Sequence, residues 1–302
     1  PGIMHVYVGK SGGNAFHGEG ALNITTEKIQ SFNIDEAQIK AGVVGGGGLE
    51  PRDTNRLSSF RDDYAQIGGY IAKDRWWFHT AYRDVENQIR QTNFPVKPFL
   101  TRLKNFTNKS TFQLTPNNQV VGYYMWMSKR QPNRLDRWKL SATRSIHLTD
   151  LSQFDQQYHP FIYKGEYNSV LSDAMFFEIR AGGIGYNWDN YNYTTAPSYE
   201  DLSTGLVSGA ARRNYSNPRR YQVLGSTSYY HPGWGGSHNM KFGWEIFRET
   251  SNIGYREGSY NDVVHILRNG APLEVYLFGN PTNTTAGLWT VGLYVTDNWR
   301  PS

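Results

Sequence analysis

Apolar and polar residues alternate along most of this chain. In residues 174–181, Met175, Phe177, Ile179 and Ala181 share one face, and Glu178 and Arg180 share the other. Residues 240–246 repeat the pattern, with Met240, Phe242, Trp244 and Ile246 against Lys241 and Glu245. Residues 161–171 set Phe161, Tyr163, Tyr167 and Leu171 opposite Lys164, Glu166 and Asn168, and residues 106–114 set Phe106, Phe112 and Leu114 opposite Lys109 and Gln113. Side chains on a strand point alternately to its two faces, so these segments are predicted strands. No segment carries the i, i+3, i+4, i+7 stripe of an amphipathic helix.

The connections alternate between short and long. Short ones fall at Lys73-Asp74, Thr115-Pro116-Asn117-Asn118, Ser172-Asp173 and the run from His231 to Gly236. Their Pro, Gly, Asn and Asp residues supply the dihedral angles of hairpin turns. Between them lie long polar stretches at 25–62, 93–104, 132–160, 189–218 and 253–284. The pattern predicts a short strand at 3–9 and about ten longer ones, at 14–24, 63–72, 75–91, 105–115, 118–131, 161–171, 174–188, 219–231, 237–252 and 285–299. Short turns at one end and long loops at the other are expected of a transmembrane β-barrel, whose strands of ~9–11 residues cross the bilayer. A compact soluble domain rarely holds several loops of this length. The fold class expected is therefore all-β, an antiparallel transmembrane β-barrel with short periplasmic turns and long extracellular loops. Glu178, Arg180, Lys241 and Glu245 sit mid-strand. Charges there are costly in lipid, so their face should line a wet lumen and the apolar face should meet hydrocarbon.

Composition narrows the picture. Hydrophobic residues make up 38% of the chain and aromatics 15%, with 31 Gly, and mean hydropathy is −0.63. No run of 18 apolar residues exists, so no transmembrane helix is expected. The aromatic content suits interfacial girdles, for which Trp76, Trp77, Trp188 and Trp299 are candidates near strand ends. Cysteine is absent, which excludes disulfides and thiol chemistry. The net charge of +5 is spread along the chain, apart from the pairs Arg212-Arg213 and Arg219-Arg220, and no nucleic-acid partner is expected. Pro1-Gly2-Ile3 has neither a basic n-region nor an apolar h-region. The chain is thus expected to be a piece whose start lies upstream.

Three segments carry a family resemblance. The run Val6-Tyr7-Val8-Gly9-Lys10-Ser11-Gly12-Gly13-Asn14-Ala15-Phe16-His17-Gly18 resembles the end of the plug domain and the start of the barrel in TonB-dependent outer-membrane receptors. The stretch from Tyr64 to Phe78, and Gly292-Leu293-Tyr294-Val295-Thr296-Asp297-Asn298-Trp299-Arg300, are similar to segments of the same family. The Oar-like subgroup, with its carboxypeptidase-regulatory-like domain, is the nearest in kind. The resemblance implies a 22-stranded barrel around a plug, of which residues 1–13 would be the end of the plug and linker and 14–302 the N-terminal part of the barrel, about ten strands. It also implies an outer-membrane location, uptake of a siderophore, oligosaccharide or peptide by energised plug opening, and outer-membrane lipid, an extracellular ligand and the TonB-ExbB-ExbD complex as partners.

Catalysis finds little support. The eight histidines are scattered, and no His-Glu-x-x-His or paired-His spacing appears. The Gly45–Gly48 run lacks the Lys-Ser/Thr of a phosphate loop. Neither enzyme activity nor a cofactor or metal is expected. Ligand recognition is expected on the long loops. Trp188, Asp189, Tyr191 and Tyr193 lie in a stretch dense in rings and amides, suited to stacking on sugars or peptides. Arg212, Arg213, Arg219 and Arg220 are candidates for contacts to lipopolysaccharide phosphates through charge-assisted bonds. The alternative readings are a non-transporting adhesin or structural surface barrel, and a soluble carbohydrate-binding β-protein.

Overall fold

Ten long staves run in one antiparallel sheet, and their order in space is their order in sequence. The structure, a computed structural model, describes residues 9–302 apart from 44–49, 54–55, 91–96, 136–145, 148–151, 210–212, 257–261 and 280. Its strands are β1 (His17–Thr26), β2 (Arg56–Ala72), β3 (Trp76–Arg90), β4 (Phe99–Thr115) and β5 (Asn118–Leu135). Then come β6 (Ile146–His147), β7 (Gln153–Ser172), β8 (Met175–Asn192), β9 (Ser198–Asp201), β10 (Leu206–Ser208) and β11 (Arg213–Ser216). The last are β12 (Arg219–Pro232), β13 (Gly236–Arg256), β14 (Val263–Arg268), β15 (Ala271–Leu277) and β16 (Thr282–Pro301). Strands β11 and β12 form one stave, since both pair with β8 and β13. They are interrupted at Asn217-Pro218, where proline has no N–H for the ladder.

The sheet is apolar on the outside. Tyr124, Tyr163, Phe242 and Ile246 are each 40–45% exposed. They share a face with Tyr82, Phe106, Trp126 and Leu293 through the ladder registers. The opposite face carries Lys109, Lys164, Glu166, Glu178, Arg180, Lys241 and Glu245. Residues 9–12 run along that charged face, against Lys109, Glu166 and Arg180. The charged face is therefore the inner one, and the expected sorting of lipid and lumen faces holds. From the turn before Trp76 the outer face stays uncharged until Asp84. Eight residues at ~3.3 Å each, tilted ~40°, give a belt roughly 20 Å tall, close to the hydrophobic band of such barrels. The described residues contain no helix long and apolar enough to cross a membrane.

The hairpin turns fall where the Pro, Gly, Asn and Asp clusters place them. Asp74 takes φ 61° and Gly235 takes φ 74°, and Pro116-Asn117 joins β4 to β5. Two expectations change. The staves run longer than the strict alternation, β7 for 20 residues and β13 for 21, so they rise beyond the belt. The long stretches 132–160, 189–218 and 253–284 also contain structure: β6, β9, β10, β14 and β15 join as a second, five-stranded sheet. It sits at the end opposite the short turns, and it holds most of the deeply buried apolar residues. Val207, Val264 and Ile266 are at most 1% exposed, and Leu202, Tyr276 and Phe278 pack against Val264 and Ile266. The stretch 25–62 holds a five-residue helix, α1 (Glu36–Lys40), closed by an Asp35/Gln38 capping box. The strand expected at 3–9 and the Gly45–Gly48 run fall outside the described residues, except for Gly9.

Candidate functional site

The site is the inner wall of the sheet, and the segment before β1 is fastened to it residue by residue. Gly12 lies against the backbone of β2 and β3, where a β-carbon would overlap the carbonyl oxygens of Phe78 and Gly69. Only glycine allows that approach. The Asn14 Oδ1 accepts from the Asp74 backbone N–H at 2.9 Å and from the Trp77 indole N–H at 2.7 Å, and its amide donates to the Asp74 carboxylate. Phe16 covers Gly69, with its ring 4.9 Å from that of Tyr70. His17 stacks on His79 at 6.4 Å. The Lys10 ammonium donates to Gln66 Oε1 at 3.2 Å, and Lys109 donates to the Gly9 carbonyl at 3.3 Å. Each residue type in Lys-Ser-Gly-Gly-Asn-Ala-Phe-His thus has a local task, apart from Ser11, Gly13 and Ala15, whose identity these contacts do not explain.

Around and above this junction the wall is a chain of matched charges. Glu166 takes Lys164 at 2.6 Å and lies 3.7 Å from Arg180. Glu178 accepts from Arg180 at 2.8 Å, from Lys241 at 3.1 Å and from the Ser226 hydroxyl at 2.8 Å. Asp62 takes Arg83 in a two-pronged pair at 2.8 and 2.6 Å. A cavity of about 720 Å³ opens between Gly9–Gly12 and Trp77, Lys109, Glu166 and Arg180. Higher still, Ile184, Tyr186, Arg220, Glu249 and Leu288 border a cavity of about 510 Å³, with Arg220 and Glu249 paired at 3.0 Å. The wall therefore offers rings, aliphatic surface and both signs of charge. Among the described residues, no group of three His, Asp or Glu side chains is placed to hold a metal ion.

The residues singled out from sequence are split by strand alternation. The stretch 186–192 is the upper part of β8 and not a loop. Trp188 stands opposite Tyr158 on the inner face, whereas Asp189 and Tyr191 stand opposite Gln157 and Asp155 on the outer one. Asp189 pairs with Arg256 and lies 3.8 Å from Arg213, whose guanidinium sits 4.2 Å over the Tyr191 ring. Tyr193 lies beyond the strand, 52% exposed, beside Lys97, Pro98 and Gln153. Arg219 is on the outer face and Arg220 on the inner face, as neighbours in one strand must be. Arg212 lies outside the described residues. Of the girdle candidates, Trp76 and Trp299 face out, 38% and 56% exposed, while Trp77 turns inward to Asn14. Sequence reasoning missed Tyr158, Glu249 and Leu288. The signal was alternation continuing weakly past the belt.

This architecture, an antiparallel sheet with an apolar outer belt, a charged inner face and a preceding segment laid along the wall, is that of part of the wall of a membrane-spanning β-barrel. No protein-family model matches the sequence, and no curated protein matches it. Solved structures share the fold. The outer-membrane transporter YddB from Escherichia coli superposes with a TM-score of 0.69 at 12% identity, over 95% of this chain and 38% of that one. The RagAB peptide importer in its closed-closed state gives 0.57 at 7% identity, over 97% of this chain and 41% of that one. A second RagAB peptide transporter structure gives 0.56 at 8% identity, with the same coverage. The chain spans about two fifths of the length of these transporters.

Proposed function

We propose that this chain forms the first part of the barrel of an outer-membrane transporter of the TonB-dependent kind, with residues 1–13 as the end of its plug. The observation that carries this reading is the docking of Gly9–Phe16 on the barrel wall through Gly12, Asn14 and Lys109. A segment fixed inside the wall suits a lumen filled by its own chain, which an energised partner then rearranges. The substrate is a large or scarce nutrient: a siderophore, an oligosaccharide or a peptide. Peptides are the class to test first. One structural neighbour, RagAB, is named a peptide importer, and the inner wall sets aromatic rings beside the Arg220–Glu249 pair. TonB with ExbB and ExbD would supply the energy.

The test is uptake by cells expressing the complete protein in the outer membrane. Labelled oligopeptides, oligosaccharides and siderophores should include one class whose accumulation stops when TonB is deleted. A second reading, a surface adhesin, draws on the five-stranded outer sheet with its own buried core. Ligand binding that persists without TonB, with no accumulation of any class, would favour the adhesin and remove the transporter.

A further inference from the structure

Ion pairs line the outer face just above the apolar belt. On β2–β4, Asp84 lies 4.0 Å from Arg61 and 3.7 Å from Lys104, and Glu86 meets Arg102 at 2.9 Å. On β5 and β7, Arg130 meets Asp155 at 2.8 Å. At the β12–β13 hairpin the matching stops. Arg219 and Arg248 reach the outer face at a similar distance above the short turns, and among the described residues neither pairs with a carboxylate. Arg219 stands opposite Thr250, and Arg248 opposite Tyr221. They are diagonal neighbours on one face, roughly 7–8 Å apart.

Both cations are held by neutral groups. The Arg248 guanidinium lies 5.4 Å over the Trp289 ring, and that of Arg219 lies 5.2 Å over Phe161. Arg219 also donates to the Pro218 carbonyl at 2.8 Å, to the Tyr186 carbonyl and to the Asn187 side-chain oxygen. These partners fix the guanidinium and leave its charge in place. Trp289 is 67% exposed, and aromatic rings at the top of an apolar belt mark the level where acyl chains give way to headgroups. Arginine forks match phosphate oxygens, and a pre-ordered fork loses little freedom on binding. Arg213 and Arg256 stand farther from the belt and share Asp189, while Arg220 faces the lumen, so none of the three belongs to this patch.

We propose that Arg219 and Arg248 bind a phosphate of a phosphorylated glycolipid in the outer leaflet, its acyl chains lying on the belt below. The site rests on the outer-membrane reading and is independent of transport. The experiment uses the complete protein purified from outer membranes in mild detergent, with heat-modifiable migration on gels as the check that the barrel is folded and membrane-derived. Failure of that check would count against the barrel reading and is distinct from loss of lipid preference. Binding is measured to lipid A carrying its phosphates, to dephosphorylated lipid A, and to the phosphorylated form with inorganic phosphate as competitor. Wild type should prefer the phosphorylated form by about tenfold, as one lost charge-assisted contact implies. Arg248→Glu should abolish the preference, Arg248→Lys should keep most of it, and Arg102→Glu, outside the patch, should leave it unchanged. If Arg248→Glu does not fold, Arg248→Gln replaces it with the same expectation. Equal binding of both lipids by wild type, retention of the preference in Arg248→Glu or its Gln substitute, equal loss in Arg102→Glu, or full displacement by millimolar inorganic phosphate would each overturn the proposal.

Discussion

The indole N–H of Trp77 donates to the side-chain oxygen of Asn14 at 2.7 Å, across a separation of 63 residues. The same oxygen accepts from the Asp74 backbone at 2.9 Å. One amide thereby ties the segment before β1 to the first short turn and to the inner wall beside it.

Asn14→Ala removes the one oxygen that accepts both bonds and leaves the Trp77 and Asp74 donors to water. A loss of about 1–3 kcal/mol is expected, the usual range for one or two such bonds. Thermal unfolding followed by heat-modifiability should shift downward, and an unchanged midpoint would show that the tie contributes nothing.

Gly12→Val places a branched side chain where the Phe78 and Gly69 carbonyls already lie. The segment should lift from the wall while the barrel stays intact. Limited proteolysis at Lys10 should accelerate several-fold, with circular dichroism of the strands unchanged. Equal cleavage rates would mean that the segment does not dock through Gly12.

Leu293 is 82% exposed on the outer face, and Thr290 lies on the inner one opposite Phe247. Arginine at 293 should destabilise folding into vesicles by about 2–4 kcal/mol, and arginine at 290 by far less. Urea titration of vesicle-folded protein reads the difference, and a reversed order would invert the assignment of the two faces.

Asp201 closes the β14–β15 hairpin of the outer sheet. Its carboxylate accepts from Gly270 at 2.6 Å, Ser203 at 2.9 Å, Thr204 at 3.2 Å and Asn269 at 3.3 Å. These N–H groups, Gly270 first, hold its pKa below the ordinary carboxylate value against the opposing effect of burial. A carboxyl group lowered on folding stabilises the fold above its unfolded pKa, near 3.9, and that stabilisation is lost as pH falls through the lowered value. Hydrogen exchange in 198–206 and 263–277 should therefore rise below about pH 4. Asp201→Asn should exchange fast already at pH 7 and show no such step, and a step of the same size in the variant would exclude Asp201 as its source.

Much of the barrel was legible along the chain. Met240, Phe242, Trp244 and Ile246 read as one face because strand alternation is local and lipid demands an unbroken apolar surface. The hairpin at Lys73-Asp74 read as a turn because positive φ favours few residue types, Asp among them. What lay above the belt was harder to read. Trp188, Asp189 and Tyr191 look like one ligand-binding cluster in sequence, yet the extended β8 sends Trp188 inward and the other two outward. Asn269-Gly270 sits in a stretch read only as a polar loop, although both residues take positive φ in the turn between β14 and β15.

The sequence by itself determined the strands, the short turns and the two faces, since period-two patterning and turn chemistry act between near neighbours. Only the tertiary structure decided that β6, β9, β10, β14 and β15 meet in one sheet, that Asn14 reaches Trp77, and that Arg219 and Arg248 stand together on the outer face with neither paired to a carboxylate among the described residues. Those relations depend on which distant strands pair and in what register, and pairing is settled by the closing of the whole sheet.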